Sequence, residues 1–158
     1  MKQKVENLTG REEAWVADHL KAATLFVEAY SPADAGQPLS LAALDRAFAA
    51  WLATSESNAE LINGVINCVG VAFGQFLANG LDLKWVIATD KQGSDLAVYG
   101  LPGRGDVLVY PANFVAKRWE RREAPFLEDG YRRIAAEVGW LRQAYAREEK
   151  RRPWWKLW

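Results

Sequence analysis

The sequence predicts an α+β fold: a helical N-terminal half of three helices, a three-stranded antiparallel meander, and a long C-terminal helix. Three observations carry the expectation. Apolar residues recur at helical spacing through the first half of the chain; the short β-rich runs LKWVIATD, SDLAVYG and DVLVY follow, separated by glycine-bearing turns; and Leu127, Tyr131, Ile134, Val138, Leu141 and Tyr145 restore the helical period. At 158 residues the chain is expected to form a single globular domain, 1–158, large enough for one well-buried core.

The first helix is expected over Gly10 to Tyr30. Thr9 followed by Glu12 has the spacing of a capping box, in which hydroxyl and carboxylate each satisfy a backbone donor. Trp15, Leu20, Ala23, Phe26, Val27 and Tyr30 give it an apolar face, and Ser31 with Pro32 ends it. Ser40 caps a second helix, Leu41 to Ala53, whose Leu41, Leu44, Phe48, Trp51 and Leu52 share a face. Ser57 and Glu60 repeat the capping-box spacing at the start of a third helix, which Asn79 and Gly80 close, so the helical part covers residues 10–79.

On that third helix Asn63, Asn67, Gly70 and Gly74 fall on one stripe. Glycine costs a helix about 1 kcal/mol relative to alanine, so the stripe requires a compensating close approach, for which the following sheet is the simplest partner. The same helix is apolar enough to resemble a membrane span, but its asparagines, glutamine and glycines and the lack of flanking basic belts favour a buried core helix.

The meander is placed over residues 83–110, with strands at Leu83 to Thr89, Ser94 to Tyr99 and Asp106 to Tyr110. Asp90 to Gly93 forms the first tight turn, with glycine where positive φ is needed. Pro111 pre-sets the first turn of a short helix or helical turn over Ala112 to Trp119, and the C-terminal helix spans 125–149. A basic, tryptophan-rich tail, residues 150–158, completes the chain.

Lys plus Arg and Asp plus Glu are each 20, so no global field points to nucleic acid, although positive charge is in surplus after Lys117. A lone cysteine excludes an internal disulfide, and with a lone histidine it leaves no ordinary zinc site. The polar N-terminus, rich in glutamate, has no secretory h-region, so a cytoplasmic location is expected.

Gly70, Ala72, Phe73 and Gly74, then Trp85, Asp90, Gly93 and Ala97, then Pro111, Val115, Lys117 and Arg118 form an ordered pattern: G-x-AFG, a W-V strand, D-x-x-G, a strand ending in Pro, and V-x-KR. Over about Leu61 to Arg118 this resembles the bacterial family called domain of unknown function 3806. The resemblance implies the fold of that segment and supplies no catalytic residue.

No phosphate loop, metal-ligand cluster or nucleophile–base pair is legible, so no catalytic residue, metal or cofactor is assigned. Asp90, Asp95 and Asp106 read as turn chemistry, and Cys68 as a buried thiol with no pairing to His19. Asn63 and Asn67 either line a pocket or satisfy neighbouring backbone. Lys117 and Arg118 either hold an anion or an acidic partner, or belong to the fold itself, one of them pairing with Asp90 or Asp95 or both forming solvated surface. Trp154, Trp155 and Trp158 stand beside Arg151, Arg152 and Lys156, a mixture suited to a partner groove, to covering the core or, with least support, to peripheral membrane contact.

The functional expectation is a non-enzymatic protein-binding module of immunity or adaptor type, contacting another protein through the meander face, Lys117 and Arg118, and the tail. The alternative is a small-ligand-binding or weakly catalytic domain, with Asn63, Asn67, Trp85 and Lys117 around a pocket between the third helix and the sheet.

Overall fold

The computed structural model describes residues 3–152. Among them, five α-helices stand with a four-stranded antiparallel sheet, in the order β1 (Lys4–Asn7), α1 (Gly10–Tyr30), α2 (Leu41–Leu52), α3 (Ala59–Leu81), β2 (Lys84–Asp90), β3 (Gly93–Gly100), β4 (Val107–Val109), α4 (Pro111–Glu120) and α5 (Leu127–Arg151). The α+β class stands. The three-stranded meander is corrected to a four-stranded sheet ordered β1-β2-β3-β4, because the N-terminal segment Lys4–Asn7 pairs with the free edge of β2. Of the short helix or helical turn expected after Pro111, the helix is formed, with ten residues.

Local signals place most helix starts. The Thr9–Glu12 capping box is formed and opens α1 at Gly10. The Ser40 hydroxyl accepts from the Ala43 N–H at 3.1 Å and opens α2. At α3 the cap is Asn58 rather than Ser57: its Oδ1 accepts from Glu60 N–H at 3.0 Å and Leu61 N–H at 3.2 Å. The same helix runs past Asn79 and Gly80 to Leu81, and the left-handed residue is Asp82, φ 52°.

A buried carboxylate starts α5. Asp45, on α2 and 6% exposed, accepts from the N–H groups of Phe126 (2.9 Å), Leu127 (2.8 Å) and Glu128 (3.1 Å). These are donors that a helix leaves without an internal partner, so one side chain ties α2 to the start of α5.

The sheet has two different faces, as strand alternation requires. Trp85, Val98, Val107 and Val109 turn toward the helices and join the main core around Leu44, Phe48, Phe73, Leu77 and Leu127. Val86, Ala88 and Ala97 turn to the outer face, where Val5, Tyr99, Leu108 and Tyr110 cover them.

The third helix, α3, is the spine of this core. It is long and apolar enough to cross a membrane, yet 61% of its apolar window is buried inside the fold. The stripe glycines, Gly70 and Gly74, make the close approaches expected of them, with one difference, whereas a Cβ at Gly64 would meet nothing within 4 Å. A Cβ at Gly74 would collide with the Trp85 ring and lie 2.7 Å from Pro111 Cγ, so this glycine does meet the sheet. A Cβ at Gly70 would lie 2.8 Å from Ala112 Cα, so that glycine meets the start of α4 instead.

Candidate functional site

Where α3, the helix face of the sheet and the first turns of α1 and α4 converge, they leave an open cleft of about 410 Å³. Its walls are mainly apolar: Trp15 from α1, Val71 from α3, Trp85 and Ile87 from β2, Leu96 from β3 and Pro111 from α4. A cleft of this size falls within the roughly 300–1,000 Å³ usual for small-molecule sites.

Trp85 is held in place by its neighbours on α3. Its indole Nε1–H donates to Gln75 Oε1 at 3.1 Å, and Gln75 Nε2 donates in turn to Asn79 Oδ1 at 2.8 Å. The polar tip is therefore satisfied, and the ring is a fixed apolar wall. Trp15 belongs to the mouth rather than to the core face assigned from its spacing. It is 39% exposed, and its ring lies against His19 with centroids 3.7 Å apart. The His19 Nδ1–H donates to the Trp15 carbonyl at 2.8 Å, which holds the pair together.

Three polar side chains line the cleft. Glu12 caps α1, its Oε2 accepting from Thr9 N–H at 3.1 Å and from the Thr9 hydroxyl. Ser94 shares a 2.7 Å hydrogen bond with Thr89. The half-buried Asn67 amide has no hydrogen-bond partner among the described residues. Asp95 reaches the cleft through its backbone, because alternation along β3 sends its side chain to the outer face with Ala97. There it and Asp90 face Tyr110, whose phenol pKa is raised by burial first and by those two carboxylates second.

Residues 49–131 match the family described as a domain of unknown function, DUF3806. The chain belongs to the DUF3806 family. The DUF3806 segment supplies every wall of the cleft from Asn67 to Ala112, while Glu12 and Trp15 come from α1, outside the matched residues. No curated protein and no solved structure matches the chain.

The residues singled out in the sequence divide around this cleft. Asn67 and Trp85 line it; Asn63, one turn earlier, is exposed and does not, and Lys117 is exposed two turns into α4. The expected pairing of Lys117 or Arg118 with Asp90 or Asp95 is not formed. Arg118 Nε instead meets Glu123 Oε2 at 3.2 Å, and its guanidinium lies 4.6 Å from the centroid of the Phe114 ring, because both partners are local to α4 and its C-terminal turn. Trp154, Trp155 and Trp158 lie outside the described residues.

The aspartates are engaged locally. Asp90 accepts from Gln92 N–H at 2.7 Å, Asp95 from Leu96 N–H at 2.9 Å, and Asp106 from the Tyr99 hydroxyl at 2.9 Å and Gly103 N–H at 3.0 Å. Burial pushes the Cys68 thiol up to about 11, and its Sγ donates to the Val65 carbonyl, so the thiolate needed for nucleophilic chemistry is disfavoured. What the cleft offers is apolar contact with a few convergent hydrogen-bonding groups. Glu12 and Trp15 were missed as site residues because capping spacing explained one and amphipathic spacing the other. Only the crossing of α1 over α3 brings them to the cleft.

Proposed function

We propose that the protein binds a small, largely apolar molecule in the cleft between α1, α3, α4 and the sheet. The observation that carries this reading is the combination of a pinned indole wall, Trp85, with an amide, Asn67, that has no partner among the described residues, inside about 410 Å³ of open space. Apolar walls supply affinity, and a small number of polar groups fix orientation. Protein binding has less geometric support: Arg118 is already engaged by Glu123 and Phe114, and Lys117 does not share a surface feature with the cleft.

A fragment titration followed by ¹⁵N NMR tests the proposal. Saturable shifts are expected at the indole N–H of Trp15 and Trp85 and the side-chain amide of Asn67. Ser94→Phe, which places a strand-compatible ring over the cleft, should weaken binding at least tenfold. Fragments that move none of these signals, or that bind Ser94→Phe equally well, would count decisively against the cleft as a site.

A further inference from the structure

The cleft has an uneven chemistry that goes beyond its capacity to bind. Among the described residues its lining contains the carboxylate of Glu12 and no Lys, Arg or His. Both bonds that Glu12 accepts from Thr9 end on Oε2, and Oε1 accepts none among the described residues. Two indoles, Trp15 and Trp85, line the same space, and the negative face of an indole attracts a cation. Asp90 and Asp95, across the sheet at the same end, add negative potential without entering the cleft.

Two features oppose this. Lys4 is paired with Thr89 on the same face of the sheet, but its ammonium is already engaged by Glu6 at 2.9 Å. The positive end of α4 reaches the cleft at Pro111 and Ala112 and would favour an anion. Pro111 has no N–H to offer, and the Ala112 N–H is covered by α3: a Cβ placed on Gly70 would lie 3.0 Å from that nitrogen. A helix terminus carries roughly half a unit charge against the full charge of Glu12. The carboxylate and the two indoles therefore set the preference.

We infer that the ligand is an organic cation, an ammonium group on a compact apolar body, with the cation against Glu12 and the indoles and the body against Val71, Ile87, Leu96 and Pro111. The inference rests on the cleft being a binding site.

Three probes with one ring and three charges separate the two claims: phenethylamine, phenethyl alcohol and phenylacetate, each titrated into the ¹⁵N-labelled protein while the Trp15 and Trp85 indole signals are followed. Phenethylamine should bind roughly 5–30-fold more tightly than the alcohol, a preference that shrinks with added salt, and phenylacetate should bind most weakly. Glu12→Gln should bring the amine-to-alcohol ratio to within about twofold. Glutamine still fits the capping box, so α1 keeps its start. An alcohol that binds as tightly as the amine, an unchanged ratio in Glu12→Gln, or tightest binding by phenylacetate would overturn the cation preference and leave the cleft standing. Absence of any shift with all three probes would overturn both.

Discussion

The helix α3 contains a controlled experiment on close packing. Gly64 and Gly70 lie in the same helix six residues apart, and a Cβ added to Gly64 meets nothing within 4 Å. Gly64→Ala should therefore express helix propensity alone and stabilise the protein by about 0.5–1 kcal/mol. Gly70→Ala gains the same term, but its Cβ would sit 2.8 Å from Ala112 Cα, 3.0 Å from Ala112 N and 3.2 Å from Pro111 C. All three atoms are backbone, so relief requires α4 to shift rather than a side chain to rotate. Overpacking of this kind costs about 1–3 kcal/mol. Since propensity is common to both variants, the difference between them isolates that cost. Urea unfolding should place Gly70→Ala about 1–3 kcal/mol below Gly64→Ala, with an unchanged slope. Each kcal/mol corresponds to about 2–4 °C in Tm for a chain of this size. Equal stability of the two variants, within about 0.3 kcal/mol, would refute the claim that Gly70 is needed to admit α4.

Two further perturbations probe the remaining architecture. Asp45→Ala strips three buried N–H groups of their acceptor at the start of α5 and should cost about 2–4 kcal/mol in urea unfolding; Asp45→Asn, which keeps one acceptor oxygen, should cost less, and a loss below about 1 kcal/mol in the alanine variant would contradict the capping role. The Asp34 carboxyl pKa is held at about 2, below the ordinary 3.8, first by the hydrogen bonds from Arg46, Nε to Oδ2 at 2.9 Å and Nη2 to Oδ1 at 2.7 Å, and next by the Ser31 hydroxyl. The depressed carboxylate contributes stability that is present above pH 3.8 and lost as pH falls through about 2. A ¹³C carboxyl titration should find Asp34 near that value and move it upward in Arg46→Met; no movement would assign the shift elsewhere.

How far the sequence could be read depended on whether each feature is decided locally. The start of α1 was legible because Thr9 and Glu12 satisfy donors within one helical turn, with no contribution from the rest of the chain. The start of α3 was displaced by one residue because Ser57 and Asn58 are both competent caps, and the Asn58 carboxamide takes the two free N–H groups. Strand β1 was not legible at all. KVEN is short and polar, and of its side chains only Val5 joins the outer apolar cluster; the strand exists because β2 offers an open edge. The pairing of Arg118 failed for a related reason, since a glutamate five residues away on the same turn outcompetes aspartates whose distance the sequence does not encode.

The candidate site follows the same division. Its α3 side was readable as a stripe, and the structure explains the change of residue type along it. Gly74 and Gly70 are buried, Asn67 is half-buried and Asn63 is exposed, so the stripe climbs out of the core toward the N-terminus of the helix. Deep in the core, the stripe must be featureless so that Trp85, Pro111 and Ala112 can approach the α3 backbone. One turn higher those neighbours no longer fill the space, and an amide replaces the missing side chain contact at the cleft wall. A polar residue there needs no internal partner only if something from outside supplies one, or if water does. The glycines that cost α3 its intrinsic stability thus create the close approach that ends at Asn67, and the cleft begins where that approach stops.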